Sequence, residues 1–284
     1  ISSLVVSWDS TLLATADRDS TIRLWDSRTG VEPGLLRATL VGHPTAVSEL
    51  AFAPDSRWLA SAGSQSVIRL WDVRSGKLRD TLAGHSDSIE AVSFGSDDGH
   101  LASASADGSA RLWNLHGGQH VLRLAGHEQE VVGAVYSADG GYIATASRDA
   151  TARVWDAQRG RLLATLSLPD EVTAVVFAPI SSLLAVATGG KDRAIWIWNW
   201  REKRAVKTLR GHALGVLGVA FSPDGELLAR GGQDTTVRLW RWRTEEELWR
   251  SPAGLDGALV LKVVFSPDGK RLAAADALGH LRTW

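Results

Sequence analysis

Short apolar runs of four to six residues recur along this chain, separated by turn residues, and no long stretch carries a 3.6-residue apolar period. One stretch displays the pattern most fully. Leu209-Arg210-Gly211-His212 leads into Val216-Leu217-Gly218-Val219-Ala220-Phe221, then Ser222-Pro223-Asp224-Gly225. Leu227-Leu228-Ala229, a glycine-rich turn ending at Asp234, and Val237-Arg238-Leu239-Trp240 complete it. The runs read as short β-strands. Pro-Asp-Gly reads as a tight turn, because Pro presets φ and Gly accepts positive φ. The same turn recurs at Ser266-Pro267-Asp268-Gly269, and in weaker form at Ala53-Pro54-Asp55-Ser56 and Ser137-Ala138-Asp139-Gly140.

The strand phrase that ends in tryptophan occurs seven times, closing at Trp25, Trp71, Trp113, Trp155, Trp198, Trp240 and Trp284. The gaps are 46, 42, 42, 43, 42 and 44 residues. A period in the forties marks one supersecondary unit copied in tandem. Each copy packs only on its neighbours, so residues 1–284 form a single domain without a linker. Every unit holds about four antiparallel strands. Such a sheet has two apolar faces and two edges, and radial stacking buries the first and shelters the second.

Several short motifs keep the same phase. Gly-His pairs stand at 42–43, 84–85, 126–127 and 211–212. Trp-Asp pairs stand at 25–26, 71–72 and 155–156, with Trp-Asn at 113–114 and 198–199. The chain therefore resembles the WD-repeat (WD40) family along its whole length. The resemblance implies an all-β, seven-bladed β-propeller, each blade a four-stranded antiparallel sheet. The first strand aligns with an innermost strand, at Leu4-Val5-Val6, and the chain ends on a third strand. The last blade thus lacks its outer strand in this segment. The chain opens on Ile1 and has no methionine. The expectation is a domain excised from a larger, bacterial-type WD-repeat protein whose flanking chain supplies that strand.

The repeat also brings together residues that imitate a catalytic set. His85, Ser103, Asp107 and Trp113 form one group, and His127, Thr145, Asp149 and Trp155 another. Folding the hairpin sets the hydroxyl opposite the tryptophan, and the histidine arrives from the neighbouring loop. A relay of indole N–H, hydroxyl, imidazole and carboxylate satisfies every donor in a half-buried place. The same set repeated around a ring is structural, since one active site needs one nucleophile and one oxyanion hole. Other copies depart from it. Gln65 takes the Asp slot, Arg230 a hydroxyl slot, and Ala274 and Leu278 the last hydroxyl and Asp slots. In the fifth copy Thr188, Asp192 and Trp198 keep the spacing, but Leu168-Pro169 stands where Gly-His belongs. The weakest copies, the seventh and first, flank the seam where opening is expected to begin.

With the ring in place, the channel mouth becomes the candidate partner-binding rim. One arc, in the third to fifth copies, carries Glu90, Glu130 and Glu171 with Arg148 and Lys191; the other, in the sixth, seventh and first, carries Leu4, Leu217, Leu259, Leu261 and Leu278, and Arg18 takes the third slot of the first copy. Gathered leucines suggest contact with a protein or peptide segment. The net charge of −1 gives no general pull toward nucleic acid or anionic lipid. No apolar run is long enough to span a bilayer. Without cysteine, thiol catalysis and thiolate metal sites are excluded. No catalytic, cofactor or metal motif emerges. The reading is a non-catalytic, cytoplasmic scaffold or sensor module, with protein partners and covalently linked domains. The alternative is a hydrolase or lyase-type propeller enzyme with an acidic channel-mouth site.

Overall fold

The computed structural model describes residues 2–17, 19–27, 35–116, 120–179, 182–211, 214–251 and 257–284. Seven antiparallel sheets follow one another, each built from strands consecutive in the chain. Six have four strands, and the last has three: Val260–Phe265, Leu272–Asp276 and Leu281–Thr283. The innermost strands of blades one to seven are Ser3–Val6, Val47–Phe52, Ile89–Phe94, Val131–Tyr136, Val172–Phe177, Val216–Phe221 and Val260–Phe265. Each lies against the next, and that of blade one also meets blade seven, which closes the ring. The architecture is the all-β, seven-bladed propeller that the repeats imply.

The second strand of each blade explains the stacking. In Leu59-Ala60-Ser61-Ala62 the period of two sends Leu59 and Ser61 to one face and the alanines to the other. Leu59 joins Trp71 against blade one, while Ala60 and Ala62 meet Val92, Phe94 and Trp113 of blade three. The small alanine leaves room for the bulky side chains of the following blade. Seven apolar clusters fill the seven interfaces in this way. The one between blades four and five buries thirteen residues, including Trp198 and Trp200, with Trp196 packed at its edge. The seam between blades seven and one buries four: Leu4, Leu13, Ala273 and Ala275.

Polar links supplement the packing. Ser48 Oγ donates to the Ile89 carbonyl at 3.4 Å, Thr173 Oγ1 to the Val216 carbonyl at 2.7 Å, and Ser2 Oγ to the Val47 carbonyl. Each ties one innermost strand to the next. Across the seam, Lys262 Nζ lies 2.6 Å from Glu49 Oε2 and 3.3 Å from Ser3 Oγ. Blade seven is thereby linked to both blade one and blade two. Burial pushes the Glu49 carboxyl upward, against the pull of Lys262.

The tight turns form as the sequence predicts. Gly225 N–H donates to the Ser222 carbonyl at 2.8 Å with φ of +73°. Blade one makes the same turn with Ser10, whose N–H donates to the Ser7 carbonyl at 2.8 Å, at φ of +58°. A side chain in the left-handed region is strained by about 1 kcal/mol. Gly225→Ala should therefore lower the unfolding free energy by about 1 kcal/mol, and Ser10→Gly should raise it by roughly 0.5 kcal/mol. Urea titration measures both. Effects of the opposite sign would contradict this account of the turn.

Candidate functional site

The structure brings the residues of both complete tetrads within hydrogen-bond distance. In blade three, Trp113 Nε1 donates to Ser103 Oγ at 2.9 Å, Ser103 Oγ lies 2.8 Å from His85 Nε2, and His85 Nδ1 lies 2.8 Å from Asp107 Oδ2. Blade four repeats these distances with Trp155, Thr145, His127 and Asp149. An ionised carboxylate accepts only, so the imidazole carries its proton on Nδ1 and accepts a hydrogen bond from the hydroxyl at Nε2. The protons thus run in one direction, from indole to carboxylate. Burial lowers both imidazoles below their ordinary value, more than the facing aspartates raise them. Burial alone would raise Asp107, but hydrogen bonds from Ser109, His85 and Ser86 outweigh it and hold the carboxyl at about 2. Asp149 is held at about 2 in the same manner, by Thr151, His127 and Glu128.

Two supporting residues were not assigned from the sequence. The hydroxyl two positions after the hairpin aspartate caps it: Ser109 and Thr151 Oγ atoms each donate at 2.6 Å, and Thr21 does so to Asp19. The signal was present as a recurring Asp-x-Ser/Thr. The arginine two before the tryptophan lies beside the same aspartate, as in Arg23–Asp19 at 2.7 Å and Arg238–Asp234 at 3.1 Å. It also explains the glycine before the histidine. A Cβ at Gly126, where φ is +140°, would fall 2.5 Å from Arg153 Nη1.

Blade two reverses the relay. Trp71 Nε1 still donates to Ser61 Oγ, and His43 Nε2 lies 2.7 Å from that oxygen. With Gln65 in the aspartate slot, His43 Nδ1 instead faces Arg69 Nη1 at 3.2 Å. A guanidinium can only donate, so His43 carries its proton on Nε2. Burial first, and the Arg69 charge second, lower this imidazole to about 4.

Blade five corrects the sequence reading. Leu184 pairs with Trp198, whereas Leu101 pairs with Trp113, so the fifth hairpin is two residues longer. Val186 therefore occupies the hydroxyl slot opposite the tryptophan strand. Thr188 donates to Asp192 at 2.8 Å instead, and Trp196, not Trp198, donates its indole N–H to Asp192 at 2.7 Å. Constant spacing from the tryptophan concealed the insertion. Blade one keeps the Trp25–Thr15 bond at 2.9 Å. His212 lies outside the described residues.

At the channel mouth, Arg148 joins Glu130 at 2.8 Å and approaches Glu171 at 4.0 Å. Ser88 Oγ donates to Glu90 at 2.6 Å. Burial raises the Glu130 carboxyl against Arg148, and Glu90, Asp87 and Glu171 add to the rise. Lys191 is exposed, but the longer hairpin moves it two residues along. Gly189 N–H donates to the Glu171 carbonyl where Ala106 and Arg148 make the matching bonds in blades three and four. Arg18 lies outside the described residues. On the opposite arc, Leu259 is 39 % and Leu278 65 % exposed, and the Ala277 N–H donates to the Leu259 carbonyl at 3.0 Å. Leu217 and Leu261 are half-buried. Leu4 does not belong to this rim. It pairs with Thr15 as Leu50 pairs with Ser61, and it is fully buried in the seam. Leu214, 44 % exposed on the blade-six loop, was missed.

The tautomers are directly testable. Long-range ¹⁵N–¹H correlation spectra at neutral pH should place the proton of His85 and His127 on Nδ1 and that of His43 on Nε2. On acidification His43 should stay neutral until pH falls to about 4. One common tautomer for all three would refute the reversed relay.

A family model, the WD domain, G-beta repeat, matches residues 1–26, 34–72, 76–114, 118–156, 160–199 and 203–241, well over half of the chain. Each matched stretch ends one residue past a repeat tryptophan. The seventh copy, in which Ala274 and Leu278 replace the tetrad hydroxyl and aspartate, lies outside the match. Nuclear distribution protein PAC1 of Mycosarcoma maydis is 49% identical over 43 residues, which is 15% of this chain and 10% of that protein. That stretch has the length of one repeat. Given the seven radial sheets, the phased tetrads and these matches, the chain belongs to the WD-repeat family of β-propellers.

Proposed function

We propose that the chain is a non-catalytic protein-interaction module, a scaffold or sensor unit of a larger multidomain protein, whose partner docks on the rim. The exposed leucines of blades six and seven support this reading most strongly. Leu278, Leu259 and Leu214 present apolar surface on loops that share one end of the channel, flanked by the half-buried Leu217 and Leu261. Apolar clusters of this type, bordered by polar groups, favour protein contact. The far arc holds Glu90, Glu130 and Glu171; burial raises Glu130 against the pull of Arg148, and the neighbouring carboxylates add to the rise. A partner segment with aliphatic residues for the leucines and a Lys or Arg for the carboxylates complements both arcs. Phosphate backbones would meet repulsion there.

The acidic-mouth enzyme reading has less support. Glu130 is engaged by Arg148 and Glu90 by Ser88, so neither carboxylate stands ready as a free acid or base.

Panning a displayed random-peptide library on the chain tests the proposal. Enriched peptides should combine aliphatic residues with a nearby Lys or Arg. The Leu259→Asp, Leu278→Asp double variant should lose that enrichment, at least tenfold. Glu130→Gln with Glu171→Gln should keep aliphatic selection but relax the basic preference. Unchanged enrichment in the leucine variant would remove the rim assignment.

A further inference from the structure

Blade six departs from the relay chemistry of its neighbours in a way that leaves donors without acceptors. Arg230 stands where Ser61, Ser103 and Thr145 stand in other blades, and it is fully buried. Its guanidinium lies 4.3 Å over the Trp240 ring. Only one of its nitrogens has a partner among the described residues: Nη2 reaches the Arg210 carbonyl at a long 3.4 Å. Arg230 Nε, Arg230 Nη1 and Trp240 Nε1 are all buried with no hydrogen-bond partner. In blades one to four the indole N–H donates to a hydroxyl. Here that oxygen is gone, and a cation has replaced it.

The charges around this point do not balance. Arg238 takes both nearby carboxylates, Asp234 at 3.1 Å and Glu247 at 3.2 Å, and Arg250 shares Glu247 at 2.8 Å. Among the described residues, three guanidiniums thus face two carboxylates, and Arg230 is the one without an ion pair. Burial, then the charge of Arg238, pushes Arg230 down to about 10, so it remains a cation at neutral pH. An isolated buried charge is costly, and each buried donor without an acceptor costs about 1–3 kcal/mol. Water could accept the hydrogen bonds but could not offset the charge.

We propose that blade six binds one small monatomic anion, of the size of chloride, at the unpaired N–H groups of Arg230 and Trp240. The ion would supply the missing acceptor and the missing negative charge together. Gly211 closes on the guanidinium, with a Cβ position only 3.0 Å from Nη2 and 3.4 Å from Arg238 Nη1. Arg230 is fully buried and the Trp240 Nε1 atom is sealed from solvent, so a single small ion suits the site better than sulfate or phosphate. The ion would accept the indole N–H in blade six as a serine or threonine hydroxyl does in the neighbouring relays.

Thermal unfolding of the intact chain in sodium chloride against sodium gluconate, at fixed ionic strength, tests this. The midpoint should rise saturably with chloride, by roughly 2–4 °C, and sulfate should not reproduce the rise. Arg230→Ser restores the hydroxyl of the other blades and should abolish the chloride dependence. A crystal soaked in bromide should give an anomalous peak within hydrogen-bond reach of Arg230 and Trp240 Nε1. No chloride effect on the natural chain, the same effect in both chains, or bromide absent from blade six would each overturn the proposal. The bromide result stands even if the variant does not fold.

Discussion

A four-stranded sheet with two apolar faces has no stable existence alone in water, so every blade of this ring is held by the blades on either side. The decisive contact is repeated rather than shared in a common core. Alanines of one second strand receive valine and phenylalanine or tyrosine side chains of the next blade's first strand, and a tryptophan seals the interface. Because each interface is separate, its composition sets local strength. Thirteen buried residues join blades four and five, whereas four join blades seven and one.

The polar relays serve that packing. A tryptophan large enough to fill the interface carries an N–H that must be satisfied once buried. The serine or threonine opposite accepts it, the histidine orders the hydroxyl, and the aspartate orders the histidine. The same aspartate accepts a backbone N–H from the Gly-His loop, at Ser86 or Glu128, both 3.1 Å away. The rim loop is therefore pinned to the interior of its own blade. Blades three and four hold a histidine in this way, blade two holds His43 against Arg69 instead, and blades six and seven carry further polar devices of their own. Arg230 and the Asp276–His280 pair are examples.

Much of this was legible in the sequence because the period is local. Strand, turn and relay all lie within one repeat, so the tryptophan spacing fixes their relative phase. What escaped the sequence has definite physical causes. Leu4 was assigned to the rim because, at the chain's start, no preceding Gly-His marks the register, and alternate residues face opposite ways. In blade five, a two-residue insertion in the hairpin keeps Thr188 ten residues before Trp198 while moving it off the opposing position. The Lys262–Glu49 pair joins residues 213 apart, a relation that no repeat pattern encodes. Arg230 was visible as an exception, but its stranded donors appear only once the indole is in place.

Stability in this ring is distributed among neighbour interfaces and is lowest at the seam. Native-state amide hydrogen exchange, read strand by strand, measures it most directly. Backbone amides of Val260–Phe265, Leu272–Asp276 and Ser3–Val6 should open at distinctly lower free energy than those of Val131–Tyr136 and Val172–Phe177. Equal protection around the whole ring, or earliest opening between blades four and five, would contradict it.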